Sequence, residues 1–198
     1  ELGDAVRTLR PDRLVVVEPG DYRVLAGLKQ VASDHGVPLD VRTDTHFLST
    51  LDEFAAHAEG RKQLRLEFFY RELRQRTGVL MDGTNPAGGA WNYDADNRGS
   101  FPKGGPGLIP DPVAFEPDAT TRAVLTLVQK QFPDHPGSLA DFDWPVTPEQ
   151  ATAALDDFVR NRLPDFGAYQ DAMWAGRPYL YHSRLSAAMN LKLLDQRA

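Results

Sequence analysis

Cysteine is absent from these 198 residues, which excludes a disulfide framework, a thiolate nucleophile and iron–sulfur ligation within them. Long apolar runs are absent too. Stretches such as Leu14-Val15-Val16-Val17 are far too short to span a bilayer. No basic stretch followed by an apolar run opens the chain, so nothing marks it for secretion, and a cytoplasmic protein without membrane contact is expected. Positive charge is not in excess either. Lys and Arg number 22 against 28 Asp and Glu, a formal net charge of −6 at pH 7, the wrong sign for an autonomous nucleic-acid module. The five histidines show neither HExxH spacing nor a cluster with paired carboxylates, so no metal site is expected. GxGxxG, P-loop and GxSxG strings are missing. Gly104-Gly105-Pro106-Gly107 is no phosphate loop, because its proline removes an amide donor.

What is present suffices for a core: 41% of residues are hydrophobic and 10% aromatic, too many for a disordered tail. Arg13–Glu18 has the apolar continuity of a strand buried on both faces, as in a parallel sheet. Pro19-Gly20-Asp21 supplies a turn and an N-cap; Val24, Leu25, Leu28 and Val31 follow at helical spacing, and Gly36 suits the helix end. A second strand is expected over Pro38–Arg42, making one β-α-β unit with a right-handed crossover. One such unit cannot close a sheet, so further strands are expected ahead of Glu1, where the chain opens without an initiator Met.

Thr50 and Glu53 form a capping box before Leu51 and Phe54, and an amphipathic helix is predicted over Lys62–Arg76. Arg61, Arg65, Arg71, Arg74 and Arg76 make this the most densely basic part of the chain. A solvated helix face, a phosphate- or DNA-facing surface and an interdomain contact all fit that charge.

Between Asp82 and Asp118, 37 residues hold 7 Gly and 6 Pro, which regular helices and central strands do not tolerate. This is an expected interdomain connector, pinned to neighbouring surface by Trp91, Tyr93 and Phe101 rather than swinging free. Helical patterns then return over Thr121–Phe132 and from Thr147-Pro148-Glu149-Gln150, a strong helix start, until Arg162-Leu163-Pro164. A last helix should begin near Ser186 and include Met189 and Leu193. The organisation is therefore a partial α/β domain over 1–81, a connector over 82–118 and the first helices of an all-α domain over 119–198.

One segment concentrates possible chemistry: Tyr179-Leu180-Tyr181-His182-Ser183-Arg184-Leu185-Ser186-Ala187-Ala188-Met189-Asn190. Hydroxyls, an arginine fork and a helix start together can hold a phosphate. Simple capping of the helix by Ser183 or Ser186 accounts for the same residues equally well.

The string Tyr181–Ser186, followed by Asn190 and Leu193-Leu194-Asp195, resembles the flavin-clasping segment of photolyases and cryptochromes, with Tyr169 in the place of an upstream tyrosine of that family. Four further strings resemble the deoxyribodipyrimidine photolyase-related proteins, the prokaryotic (6-4) photolyases with an iron–sulfur cluster. They are Glu18-Pro19-Gly20-Asp21-Tyr22-Arg23; Leu66–Arg71 with Thr77–Met81; Gly88-Gly89-Ala90-Trp91-Asn92-Tyr93-Asp94-Ala95-Asp96-Asn97-Arg98; and Phe142-Asp143-Trp144-Pro145-Val146-Thr147. Two positions depart from the pattern: Ala187 stands where proline is usual, and Lys192 where glycine is usual.

The resemblance implies FAD held by Tyr169, His182, Ser183, Arg184, Leu185 and Ser186, and a partial Rossmann-like antenna domain in which a lumazine-type chromophore contacts Glu18 and Tyr22. It implies damaged DNA as the parent's partner and light-driven repair of pyrimidine (6-4) lesions. The 4Fe-4S cluster would lie in a C-terminal part beyond these residues. The chain thus resembles the front part of such a protein, inactive alone and exposing apolar surface that favours self-association. A cryptochrome-type photoreceptor and a non-catalytic α/β binding module are the alternatives.

Overall fold

In a computed structural model, described over residues 1–197, the chain divides into two compact units, Glu1–Ala87 and Gly88–Ala198. The final residue of the expected helical segment lies outside the described residues.

The first unit runs α1 (Leu2–Leu9), β1 (Leu14–Val17), α2 (Tyr22–His35), β2 (Leu39–Arg42), α3 (Leu51–Ala58), α4 (Leu66–Thr77) and a small hairpin of β3 (Met81–Asp82) and β4 (Asn85–Pro86). β1 and β2 pair in parallel, Leu14 opposite Leu39 and Val17 opposite Arg42, with α2 as the crossover between them. Its start and stop follow from local chemistry. The Asp21 carboxylate accepts the Arg23 amide at 2.8 Å. At the other end Gly36 takes φ 63°, its amide donates to the Ser33 carbonyl and that of Val37 to Ala32, the paired bonds of a Schellman motif. The Thr50–Glu53 capping box forms in both directions.

Three expectations change here. β1 is not buried on both faces: Val15 and Val17 are 46% and 47% exposed. A two-stranded sheet with α2 against β2 covers only one side of each strand. The helix expected from Lys62 begins at Leu66, because Arg65 is extended at φ −113°. A helix that periodicity did not signal, α1, precedes the first strand and packs on α2 through the part of the chain containing buried Val6.

In the second unit, residues 88–118 contain no helix or strand. Then come α5 (Ala119–Gln131), α6 (Pro148–Asn161), α7 (Leu163–Tyr169) and α8 (Ser186–Asn190). Ala151, Leu185, Ala188 and Leu194 form the buried core, with Ala154, Leu155, Phe158, Met189 and Leu193 packed round it. Pro164, which the sequence pattern makes a terminator, also lies in the first turn of α7, where a missing amide costs nothing. α8 stops at Asn190 without reaching Leu193. Lys192 adopts φ 60°, its amide donates to the Met189 carbonyl and that of Leu193 to Ala188, so a second Schellman motif closes the helix with lysine in the glycine position.

The proline-rich stretch before α5 forms no strand, and four of its backbone groups are hydrogen-bonded to the helical part that follows. Arg177 donates to the Ile109 carbonyl at 2.9 Å, Arg162 to that of Pro110 at 2.7 Å, the Val113 amide to Asp157 at 3.3 Å and the Phe115 amide to the Asp143 carbonyl at 3.2 Å. Among the described residues no helix is long and apolar enough to cross a membrane, and no group of three or more His, Cys, Asp or Glu is placed to hold a metal ion.

Candidate cofactor site

The end of α7 and the segment leading into α8 meet around aromatic rings. Tyr169 stacks on Phe101 at 4.8 Å and on Tyr181 at 5.4 Å between centroids. This contact is close enough that Gly99 is required beneath it: the Gly99 amide donates to the Ala168 carbonyl at 2.8 Å, and a Cβ there would lie 2.6 Å from that oxygen and 3.3 Å from the Tyr169 ring. Burial pushes the Tyr181 hydroxyl above its ordinary value, with the charges of Asp165 and Tyr169 acting in the same direction. His182 meets Phe166 edge-on at 6.1 Å and is otherwise exposed, as is Ser186. The Ser183 hydroxyl accepts the Leu185 amide at 3.3 Å, leaving its own proton to donate. Leu185 is a core residue.

Arg184 departs from the expectation of an open anion-binding fork. Its side chain is 7% exposed and its Nη2 lies 2.5 Å from Asp143 Oδ1. The guanidinium is sandwiched between Trp144 at 4.3 Å and Tyr179 at 4.4 Å. The charge is consumed within the protein. Asp143, Trp144 and Tyr179 are partners that sequence reasoning did not assign, although Asp143-Trp144 falls in one of the family-like strings. Nothing in local pattern pairs positions 41 residues apart.

In the first unit, a pocket of about 150 Å³ opens at the carboxyl ends of β1 and β2, lined by Glu18, Thr43, Phe47 and Ser49 among others. This is where open α/β sheets place ligands. Tyr22 does not line it and is 83% exposed. The basic stretch after α3 is spent on local partners. Arg61 pairs with Glu72 at 3.0 Å, Arg71 with Glu67 and Arg76 with Glu53. Buried Arg74 donates to the Leu80 carbonyl and lies over Tyr70. Four of its five arginines therefore serve packing and ion pairing inside this unit.

Residues 1–144 match the family described as deoxyribodipyrimidine photo-lyase-related protein. The chain belongs to that family. It is 44% identical over 195 residues to a (6-4) photolyase of Agrobacterium fabrum, an alignment covering 98% of this chain and 38% of that protein. An uncharacterised protein of Acanthamoeba polyphaga mimivirus is 26% identical over 93 residues, 45% of this chain and 47% of its relative. This photolyase-related chain thus spans 38% of the length of the Agrobacterium protein. The family match ends at Trp144, whereas the identity to the Agrobacterium protein also takes in the Tyr169–Asn190 region.

Proposed function

We propose that this chain is part of a light-driven DNA photolyase acting on pyrimidine (6-4) lesions, and that Tyr169 and the Tyr181–Ser186 segment form part of its FAD site. The observation that carries this reading is 44% identity to a (6-4) photolyase across 98% of the chain. The side chains fit the polyhydroxylated, anionic portion of FAD. Ser183 keeps a free hydroxyl donor, His182 and Ser186 are exposed, and Tyr169 and Tyr181 offer polar tips on a rigid stack. When bound, reduced FAD supplies the excited-state electron for repair; the residues here bind and orient it. The lesion itself would have to leave the base stack to be reached.

A lumazine-type antenna chromophore belongs, on this reading, in the pocket beside Glu18. Phe47 offers a ring face and Glu18 a hydrogen-bonding carboxylate to a planar heterocycle. The net charge of −6 leaves DNA recognition to local surface, and a cytoplasmic location accords with the absence of cysteine.

FAD titration of the purified chain, followed by gel filtration and visible absorption, tests the site. Saturable retention of flavin, weakened in a His182→Ala/Ser186→Ala double variant, is the expected result. Retention that this double variant leaves unchanged would remove the assignment.

A further inference from the structure

Arg184 is the most heavily constrained residue of the candidate flavin segment. Its fork grips Asp143 through Nη2 at 2.5 Å and Nη1 at 3.4 Å, and two aromatic faces close on it at 4.3 and 4.4 Å. Its backbone is left-handed at φ 58°, a conformation that costs a non-glycine residue about 1–2 kcal/mol. Its Nε is buried without a hydrogen-bond partner. Stability alone does not favour such a residue, because buried ion pairs are often replaced by apolar side chains without loss. The next residue, Leu185, is anchored in the core beside Ala151 and Ala188. Two consecutive side chains therefore fix the turn, one in the core and one in the clamp, and the flanking His182 and Ser186 are left exposed.

We infer that Arg184 is a positioning residue: the Asp143–Trp144–Tyr179 clamp on its guanidinium holds the Ser183–Ser186 turn in its strained conformation, and Arg184 does not itself contact the cofactor phosphates. This rests on the flavin reading above. The guanidinium turns both Nη atoms to one carboxylate, keeps its remaining Nε–H buried and is only 7% exposed, so it presents no accessible donor edge to a phosphate. The clamp instead prepays the ordering of the turn, so that hydroxyls and amides meet the ligand already in place.

The sign of one substitution separates positioning from direct contact. Asp143→Asn releases the guanidinium. If Arg184 were a phosphate ligand, FAD affinity of the full chain would hold or rise; under the clamp it falls by about tenfold. Arg184→Lys, which keeps the charge but loses the planar fork, falls similarly, whereas a ligand role would let lysine substitute in part. Unchanged or tighter binding in Asp143→Asn overturns the inference. Amide exchange over residues 183–189 of the ligand-free chain reads the clamp independently: it speeds by about tenfold in Asp143→Asn, and unchanged exchange also overturns the inference. Exchange that speeds in Asp143→Asn together with flavin retention that His182→Ala/Ser186→Ala leaves unchanged sinks the flavin reading and leaves the clamp as a purely structural device.

Discussion

Arg162 Nη1 lies 2.5 Å from Asp157 Oδ2, with the arginine side chain 1% exposed and the aspartate 20%. The same guanidinium donates through Nη2 to the Pro110 carbonyl, so this pair joins the end of α6 to the proline-rich stretch before α5. Arg162→Met leaves that carbonyl without its donor and the carboxylate without its cation. Breaking a buried pair from one side costs about 3 kcal/mol. A fall of that size in unfolding free energy by urea titration is expected, with Arg162→Lys recovering only part of it because an ammonium lacks the second fork.

Acid should weaken the same joint. Burial pushes the Asp157 carboxyl up, but hydrogen bonds from Asn161, the Val113 amide and Arg162, together with the arginine's charge, outweigh it and hold the group below its ordinary value. A carboxylate depressed in the folded state contributes its full stability above the unfolded value, near pH 4. That contribution is lost as pH falls through the folded value, because the unfolded chain binds the proton more readily. Urea midpoints measured downward from about pH 5 should drop more steeply for the wild type than for Asp157→Asn.

Lys192 and Gly36 occupy equivalent places in two Schellman motifs, at φ 60° and φ 63°. Only glycine takes that conformation without a Cβ penalty. Lys192→Gly relieves about 1–2 kcal/mol of local strain and returns part of it as unfolded-state entropy. A net gain of about 0.5–1 kcal/mol in thermal or urea unfolding is expected; a loss would show that the lysine side chain contributes more than its backbone costs.

Gly99→Ala drives a methyl to 2.6 Å from the Ala168 carbonyl and against the Tyr169 ring. Neither the backbone oxygen nor the stacked ring can yield cheaply, so about 1–3 kcal/mol of overpacking is expected. Near-ultraviolet circular dichroism should report the Phe101–Tyr169–Tyr181 stack loosening. The same variant should weaken flavin binding without any change to a proposed ligand residue.

Local chemistry was sufficient for much of this protein. The caps at Asp21, Thr50 and Thr147 and the glycine stop at Gly36 each depend on residues within a few positions of one another. They were legible because turn and cap energetics act at that range. The family-like strings carried the kinship for the same reason, being contiguous. The Schellman stop at Lys192 was not legible as such, since lysine rarely takes a left-handed backbone, and the glycine missing from the family pattern was its one trace.

Tertiary structure alone decided where charge and surface went. In the basic stretch, Arg61 pairs with Glu72, 11 residues on, and Arg76 with Glu53, 23 residues back, partners that no local pattern specifies. Arg184 had the composition of an anion ligand and became a clamped cation, because Asp143, 41 residues earlier, folds against it. Val15 and Val17 had the pattern of a doubly covered strand and are half exposed, since one strand and one helical layer cover one face. Long-range partners are selected by the packing of whole elements, a cooperative property that no window of sequence contains.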